Sequence, residues 1–423
     1  MNKISCLQYM KSKFKLNTII NIIIFLLTSA SFFSIPALSF RTKYYIITWV
    51  LIIFLIISMI LYIFLSRRLV FDIVSASFLL FAFSSIISSA LSGFRAFKIT
   101  APALSLLSLI VYTYCKSSPN NANKFLYGVF LGDVCFLLLF IFHYRTELIK
   151  LNFSRLGDYF GDINDISLFM SVGLVFCFFF IFFHKKIIVK IIGAFTGFLF
   201  FVCGLTSGSK IFVFSFIFVT IFAVFLFFGK KKWWLSIIIL AVLFGLFILL
   251  LQLPSLSTIR KRIVDFTFTM TGNSSDKTAT VDLSTVDRMN MFVAGMEMFF
   301  RKPFFGWGIW GFATFGGVNN GWSHNNFSES LCNFGIIGTI LFHFPFFISI
   351  KNFVKRKQKA YILPFLLIVF FVVSMFSVAL NSEKVYALIA PASFAILCSR
   401  EKEILSSFTK KINNRKVLMY ENC

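Results

Sequence analysis

The densest chemistry in the chain lies in Ser323-His324-Asn325-Asn326-Phe327-Ser328-Glu329, which runs on to Gly335-Ile336-Ile337-Gly338. His324 stands just before a stretch that reads as a helix. A histidine at a helix amino terminus feels the positive end of the helix dipole, which favours neutral imidazole. Neutral imidazole takes a proton from a hydroxyl, so His324 is a candidate general base. The plainer reading is that it caps a helix or packs at an interface. His143 and His184 sit at the ends of apolar runs and His343 lies within one beside Pro345; interfacial or packing roles are expected for these three.

A second set of residues is cationic. Arg260, Lys261 and Arg262 open a long polar segment, Arg288 stands near a helix start within it, and Arg301 and Lys302 precede Pro303. Lys210 closes the short stretch Thr206-Ser207-Gly208-Ser209-Lys210, and Arg155 lies in another connection. Guanidinium groups bind phosphate as a two-pronged fork, whereas a lysine acts as a point charge. Such a group of cations suits a diphosphate headgroup; generic attraction to anionic lipid is the competing reading. A third set is acidic: Asp158, Asp162 and Asp165, with Asn164 among them, share the connection of Arg155, and Glu329 follows His324 by five positions. Paired carboxylates can serve glycoside chemistry, but hydrogen bonding to sugars, or pairing with Arg155, is the expected role here. Asp72 is expected to pair with Arg67 and Arg68. Asp133 falls inside an apolar run, where an ionisable group is costly and by default functional or paired.

The elements that must position these residues are membrane helices. Of 423 residues, 58% are apolar and 13% charged, and 63 are Phe. Apolar runs near twenty residues recur from end to end, each long enough to span the ~30 Å hydrocarbon core as a helix. We expect an all-α integral membrane protein with about twelve such spans, near 18–39, 45–66, 71–91, 99–115, 124–143, 166–184, 187–206, 211–229, 235–253, 335–350, 361–380 and 385–399. The net charge of +25 invites a nucleic-acid reading. However, the basic residues sit in short clusters between apolar runs, as topology signals do, rather than on one soluble face. The eight cysteines show no CxxC spacing, so neither a zinc site nor a disulfide framework is expected. No signal-peptide cleavage site is evident near the basic start.

With the amino terminus inside, the cytoplasmic segments hold twenty-four Lys and Arg and the short outer loops nine. That asymmetry puts both termini in the cytoplasm. The expected organisation is nine helices over 1–253, a large extracytoplasmic loop over 254–334, three helices over 335–399 and a basic cytoplasmic tail over 400–423. A loop of that length inside a compact protein is usually functional or disordered. Its Trp307, Trp310, Trp322 and many Phe argue against disorder, so short helices lying over the bundle are expected. One of them is expected over 286–300, with Asp287 in its first turn.

Taken together, Asp287-Arg288, then Arg301-Lys302-Pro303-Phe304-Phe305-Gly306-Trp307-Gly308, then His324-Asn325 with nine residues before Gly335-Ile336-Ile337-Gly338 resemble the O-antigen ligase and polymerase family. Leu205 to Lys210 resembles the family's Ser-Arg turn, with Lys210 where Arg is usual; the stretch from Arg155 to Asn164 matches more loosely. The resemblance implies a GT-C-like, multi-pass enzyme of the bacterial inner membrane: a metal-independent glycosyltransferase without cofactor. Its donor would be a glycan on undecaprenyl diphosphate, taken at the periplasmic face. His324 would deprotonate the acceptor hydroxyl, and Arg288 and Lys210 would hold the leaving diphosphate. Arg155, Arg260, Arg262, Arg301, Asn325 and Glu329 would contact substrate, and the aromatics around Trp307 and Trp322 would stack on sugar rings.

The implied partners are this lipid-linked oligosaccharide, membrane lipid and, for a polymerase, a chain-length regulator protein; nucleic acid is not expected. The acceptor is expected to be a second lipid-linked repeat unit, which makes the enzyme an O-antigen polymerase. The alternatives are transfer to lipid A–core by a ligase and, from another class, a flippase for the same lipid, although no matching halves of the transporter kind are visible.

Overall fold

The computed structural model describes residues 3–38, 45–95, 98–150, 156–160, 163–229, 232–272, 280–316, 323–356, 359–376 and 383–399. The first helices are α1 (Lys3–Leu38), α2 (Tyr45–Ser66), α3 (Ile73–Leu91), α4 (Thr100–Ser117) and α5 (Pro119–His143), followed by the short α6 (Arg145–Ile149). Next come α7 (Ile163–Phe183), α8 (Ile187–Thr206), α9 (Lys210–Phe228) and α10 (Trp233–Leu251). The long polar segment contributes α11 (Ser257–Thr271), α12 (Leu283–Arg301) and α13 (Gly311–Phe315), and α14 (Asn326–Arg356), α15 (Ile362–Ser374) and α16 (Lys384–Leu397) follow. Twelve of these helices fall on the twelve apolar runs. Among the described residues, nine are long and apolar enough to cross a membrane. This is an all-α integral membrane protein.

For α10 and α4, position follows polarity. α10 is apolar all round and mostly unburied by the rest of the chain; such a helix belongs against lipid. α4, by contrast, carries Ser105, Ser108, Tyr112, Thr113 and Tyr114, all buried. Its hydroxyls meet protein partners, as in Ser105 Oγ donating to Phe78 O at 2.6 Å and Tyr114 OH to Asn21 Oδ1 at 2.8 Å. A helix with these polar groups belongs in the protein interior, where they can be satisfied. The short α15 and α16 are also interior, buried from Ile362 to Phe371 and from Val385 to Leu397. Small residues set the closest approaches. A β-carbon on Gly128 would lie 3.0 Å from Phe25 O of α1, and one on Gly197 would lie 3.0 Å from the Cys177 side chain of α7, so Gly128/Gly132 and Gly193/Gly197 act as close-packing pairs.

Asp72 does not pair with Arg67 or Arg68 in the way the sequence proximity implied. Its carboxylate caps α3 through Val74 N and Ser75 N, accepts from Tyr112 OH at 2.7 Å, and forms an ion pair with Lys116. A helix N-cap position draws the carboxylate toward the free N–H groups, and Arg68 instead donates to Ser117 O at 2.9 Å. Asp133 is fully buried in α5.

The segment between α10 and α14 packs on one end of the bundle. α12 lies along α14, with Gly295 against Ser328. α14 itself is broken at Gly335 (φ 64, ψ −168). The strip Pro303–Gly308 fills the break: Ile336 N donates to Pro303 O at 2.8 Å, Trp307 N to Cys332 O at 2.9 Å and Gly308 N to Asn333 O at 2.9 Å. The end of α3 completes the seat, with Ser88 Oγ donating to Asn333 O at 2.7 Å and accepting from Gly308 N at 3.0 Å. The basic tail over 400–423 lies outside the described residues.

Candidate active site

The site is assembled from three backbone features: a turn, a helix start and a strained loop. The turn joins α8 to α9. Gly208 adopts φ 63, a left-handed angle that suits glycine. Ser207 Oγ meets Ser167 Oγ of α7 at 2.8 Å, Ser209 Oγ donates to Asn164 Oδ1 at 2.9 Å, and Leu156 N donates to Thr206 O at 2.9 Å. Arg262 of α11 donates to Gly208 O. A turn held from α7, α11 and the 156–160 segment fixes the start of α9, and Lys210 is its first residue.

The helix start is that of α12. It begins at Leu283, three residues before the sequence expectation, so Asp287 is an exposed second-turn residue and Asp282 is the residue before the helix. The Asp282 carboxylate forms an ion pair with Lys210 and accepts from Ser284 Oγ at 2.8 Å and from Thr285 Oγ1 at 2.5 Å. Burial by itself would raise this carboxyl, but the Lys210 ammonium and the Thr285 and Ser284 hydroxyls hold it down at about 2. Farther along α12, Thr285, Arg288, Met289, Phe292 and Val293 follow the i, i+3, i+4, i+7, i+8 spacing of one helix face.

The loop is Ser323-His324-Asn325. Asn325 Oδ1 accepts from Phe327 N at 3.0 Å and Ser328 N at 3.2 Å, the pattern of a helix N-cap. Glu329 is 1% exposed and accepts from Ser323 N at 2.9 Å and Ser323 Oγ at 3.0 Å. Between these two anchored neighbours His324 takes φ 53. A residue with a β-carbon is uncommon there, and such strain persists only when the surroundings impose it.

These features converge on a cavity of about 560 Å³. Its polar wall is Lys210, Thr285, Arg288, His324 and Asn325. Its apolar wall comes from Ile211, Phe214 and Phe218 of α9, Phe266 and Met270 of α11, the remaining α12 face, and Val373 and Phe376 beside the end of α15. Arg288 and Arg262 are both close enough to repel the Lys210 ammonium. The cavity therefore joins a positively charged end to a long apolar, aromatic flank. Anions are favoured at the first and hydrocarbon at the second.

The remaining candidates stand elsewhere. Arg155 and Trp322 lie outside the described residues. Arg260 donates to Gln252 Oε1 at 3.1 Å, tying α11 to the end of α10. Arg301 is exposed at the end of α12. Trp307 donates its indole N–H to Met298 O at 2.8 Å and lies under Lys302, 4.1 Å from the ring centre; it packs the α12–α14 junction and is not part of the cavity wall. Glu329 supports the loop from below. Of the other histidines, His143 stacks on Tyr159 at 3.7 Å, and His343 stacks on Phe327 at 4.9 Å while meeting Asn326 Nδ2 at 3.1 Å. Sequence reasoning missed Asp282. Its spacing before Ser284-Thr285 reads as an ordinary helix cap, and nothing local links it to Lys210, 72 residues away.

Compared with curated proteins, the chain finds no match. Residues 194–343 match the family model described as O-antigen ligase. The matched stretch runs from α8 into α14 and includes Lys210, Arg288, His324 and Asn325 of the cavity wall and Asp282, the partner of Lys210. Over this segment, about a third of its length, the chain is similar to the O-antigen ligase family.

Proposed function

We propose that the protein is a surface-polysaccharide polymerase. In this reading it transfers a glycan from a polyprenyl diphosphate, such as undecaprenyl diphosphate, to a hydroxyl of a second lipid-linked repeat unit. The observation that carries the reading is that Lys210, Arg288 and His324 line one cavity whose other wall is apolar. The diphosphate would lie at Lys210 and Arg288, and the isoprenoid against Phe214, Phe218 and Phe292. His324 would take the proton of the acceptor hydroxyl as its oxygen attacks the anomeric carbon. The bond from that carbon to the diphosphate oxygen breaks, and the leaving group departs with its charge held by the two cations. Positioning and fixed charge supply the rate, because the donor already carries a good leaving group. His324 meets a basic requirement for a general base, since it lines the cavity between two hydrogen-bonded neighbours.

A ligase that uses lipid A–core as acceptor is the second reading, and the family match is compatible with either. The two differ only in acceptor. Purified protein supplied with lipid-linked repeat units alone should produce longer lipid-linked chains. New product that forms only when lipid A–core is added would make it a ligase. Movement of the lipid across a vesicle membrane with no new glycosidic bond would overturn both readings.

A further inference from the structure

Lys210 already has an anion. Its side chain is 9% exposed and is paired with Asp282, while its ammonium also donates to Ser284 Oγ at 3.2 Å and Thr285 Oγ1 at 3.0 Å. Asp282 stands at the N-cap of α12, yet its side chain makes no capping hydrogen bond. A capping aspartate normally gives its oxygen to backbone N–H groups of the first turn. This one faces an ammonium and two hydroxyls instead, while its own N–H donates to Thr269 Oγ1 at 2.7 Å. Thr285 touches both this carboxylate and the cavity, so the pair lies at the cavity wall, on the same helix as Arg288.

We propose that Asp282 is a placeholder anion: it neutralises Lys210 while the cavity is empty, and a diphosphate takes Lys210 from it on binding, releasing the first turn of the helix that carries Arg288. The inference rests on the reading of the cavity as a diphosphate site. No covalent bond or proton moves. Lys210 exchanges one oxyanion for another, and Asp282 keeps Ser284 and Thr285 as donors. The physical reason for the arrangement is that a largely buried ammonium facing Arg262 and Arg288 is costly without a counter-ion. A carboxylate brings one negative charge. A diphosphate brings more, and it engages Arg288 as well, so it can win the exchange. After transfer, recapture of Lys210 by Asp282 would help expel the product.

The test uses the purified full chain at pH 6 with inorganic pyrophosphate as the probe, measured by titration calorimetry. Asp282→Asn should bind pyrophosphate about tenfold more tightly, the order expected when a competing charge is removed from a close pair. Lys210→Ala added to that variant should abolish the gain. Unchanged or weaker binding by folded Asp282→Asn would overturn the proposal. If the variant does not fold, hydrogen exchange on the unmodified protein decides. Saturating pyrophosphate should speed exchange across 282–288, and unchanged or slower exchange there overturns it. The two layers separate cleanly. Pyrophosphate binding that needs Lys210 and Arg288 but ignores Asp282 removes the placeholder alone. Absence of binding that depends on either cation removes the diphosphate reading, and the placeholder with it.

Discussion

His324 sits at a backbone angle that side chains resist, pinned by Ser323 and Asn325, and its replacement is the most direct residue-scale test. His324→Ala keeps the β-carbon and leaves the backbone strain in place, so protein should still insert while chain extension falls by about a hundredfold or more, the usual worth of a general base. Normal extension would remove the imidazole from the chemistry. Arg288→Lys should lose about tenfold or more in transfer because a point charge replaces a fork, whereas Lys210→Arg should keep activity. With fixed cations at the leaving group, transfer should also survive EDTA. The Lys210–Asp282 pair has a pH signature. A carboxyl lowered from 3.8 to about 2 by folding contributes stability that is fully present above about pH 4 and lost as pH falls toward 2. The stability gap between the unmodified chain and Asp282→Asn, read as the difference in thermal midpoint, should therefore be flat from pH 8 to 5 and shrink below pH 4. At this scale the sequence singled out residues that stand in short motifs, and Lys210, Arg288 and His324 among them line one cavity. It was silent on Asp282, whose partner is distant in the chain. Trp307, expected at the substrate, gives its N–H to Met298 O and its ring to Lys302.

The element that decides the geometry is the broken helix α14. An unbroken helix would carry the backbone straight through Gly335. Instead the chain takes φ 64 there, and a β-carbon would stand 2.6 Å from Phe305 N. Gly306 is equally tight, 2.5 Å from the Asn333 carbonyl carbon. The Pro-xx-Gly-x-Gly strip and the Gly-xx-Gly pair are thus two halves of one joint, in which the strip supplies the hydrogen bonds that the break leaves open. The joint fixes where α14 starts, and α14 starts at the loop of His324. Gly335→Ala should cost roughly 2–4 kcal/mol through positive φ and overlap combined. It should be read as a lowered unfolding midpoint in detergent, and the residual folded protein should lose transfer because the loop moves. A variant as stable as the original would show that the strip does not seat in the break. The sequence announced both motifs and put a membrane span at 335–350, but it could not show that they bond to each other, since that pairing is made in three dimensions.

For the whole molecule, the twelve apolar runs were legible because period and length alone define a helix that can live in hydrocarbon. Their arrangement was not, since α15 looks as apolar as α10 and yet is interior. The orientation of the bundle is a separate physical question, on which the charge pattern gives an expectation. Lys and Arg resist transfer across the membrane, so the face with the denser basic loops should stay inside. The segment carrying α11 to α13 joins helices at the same end as the α8–α9 turn, and that end has the sparser basic loops. It should face outward, where a lipid-linked glycan would be assembled. Asn290 on α12 and Lys185 in the α7–α8 connection are both exposed and stand at opposite ends of the bundle. On a cysteine-free background, Asn290→Cys should react with a membrane-impermeant maleimide in intact spheroplasts, and Lys185→Cys only after permeabilisation. The reverse pattern would put the cavity on the cytoplasmic side, where the charge argument, and with it the outward-facing transferase, would fail.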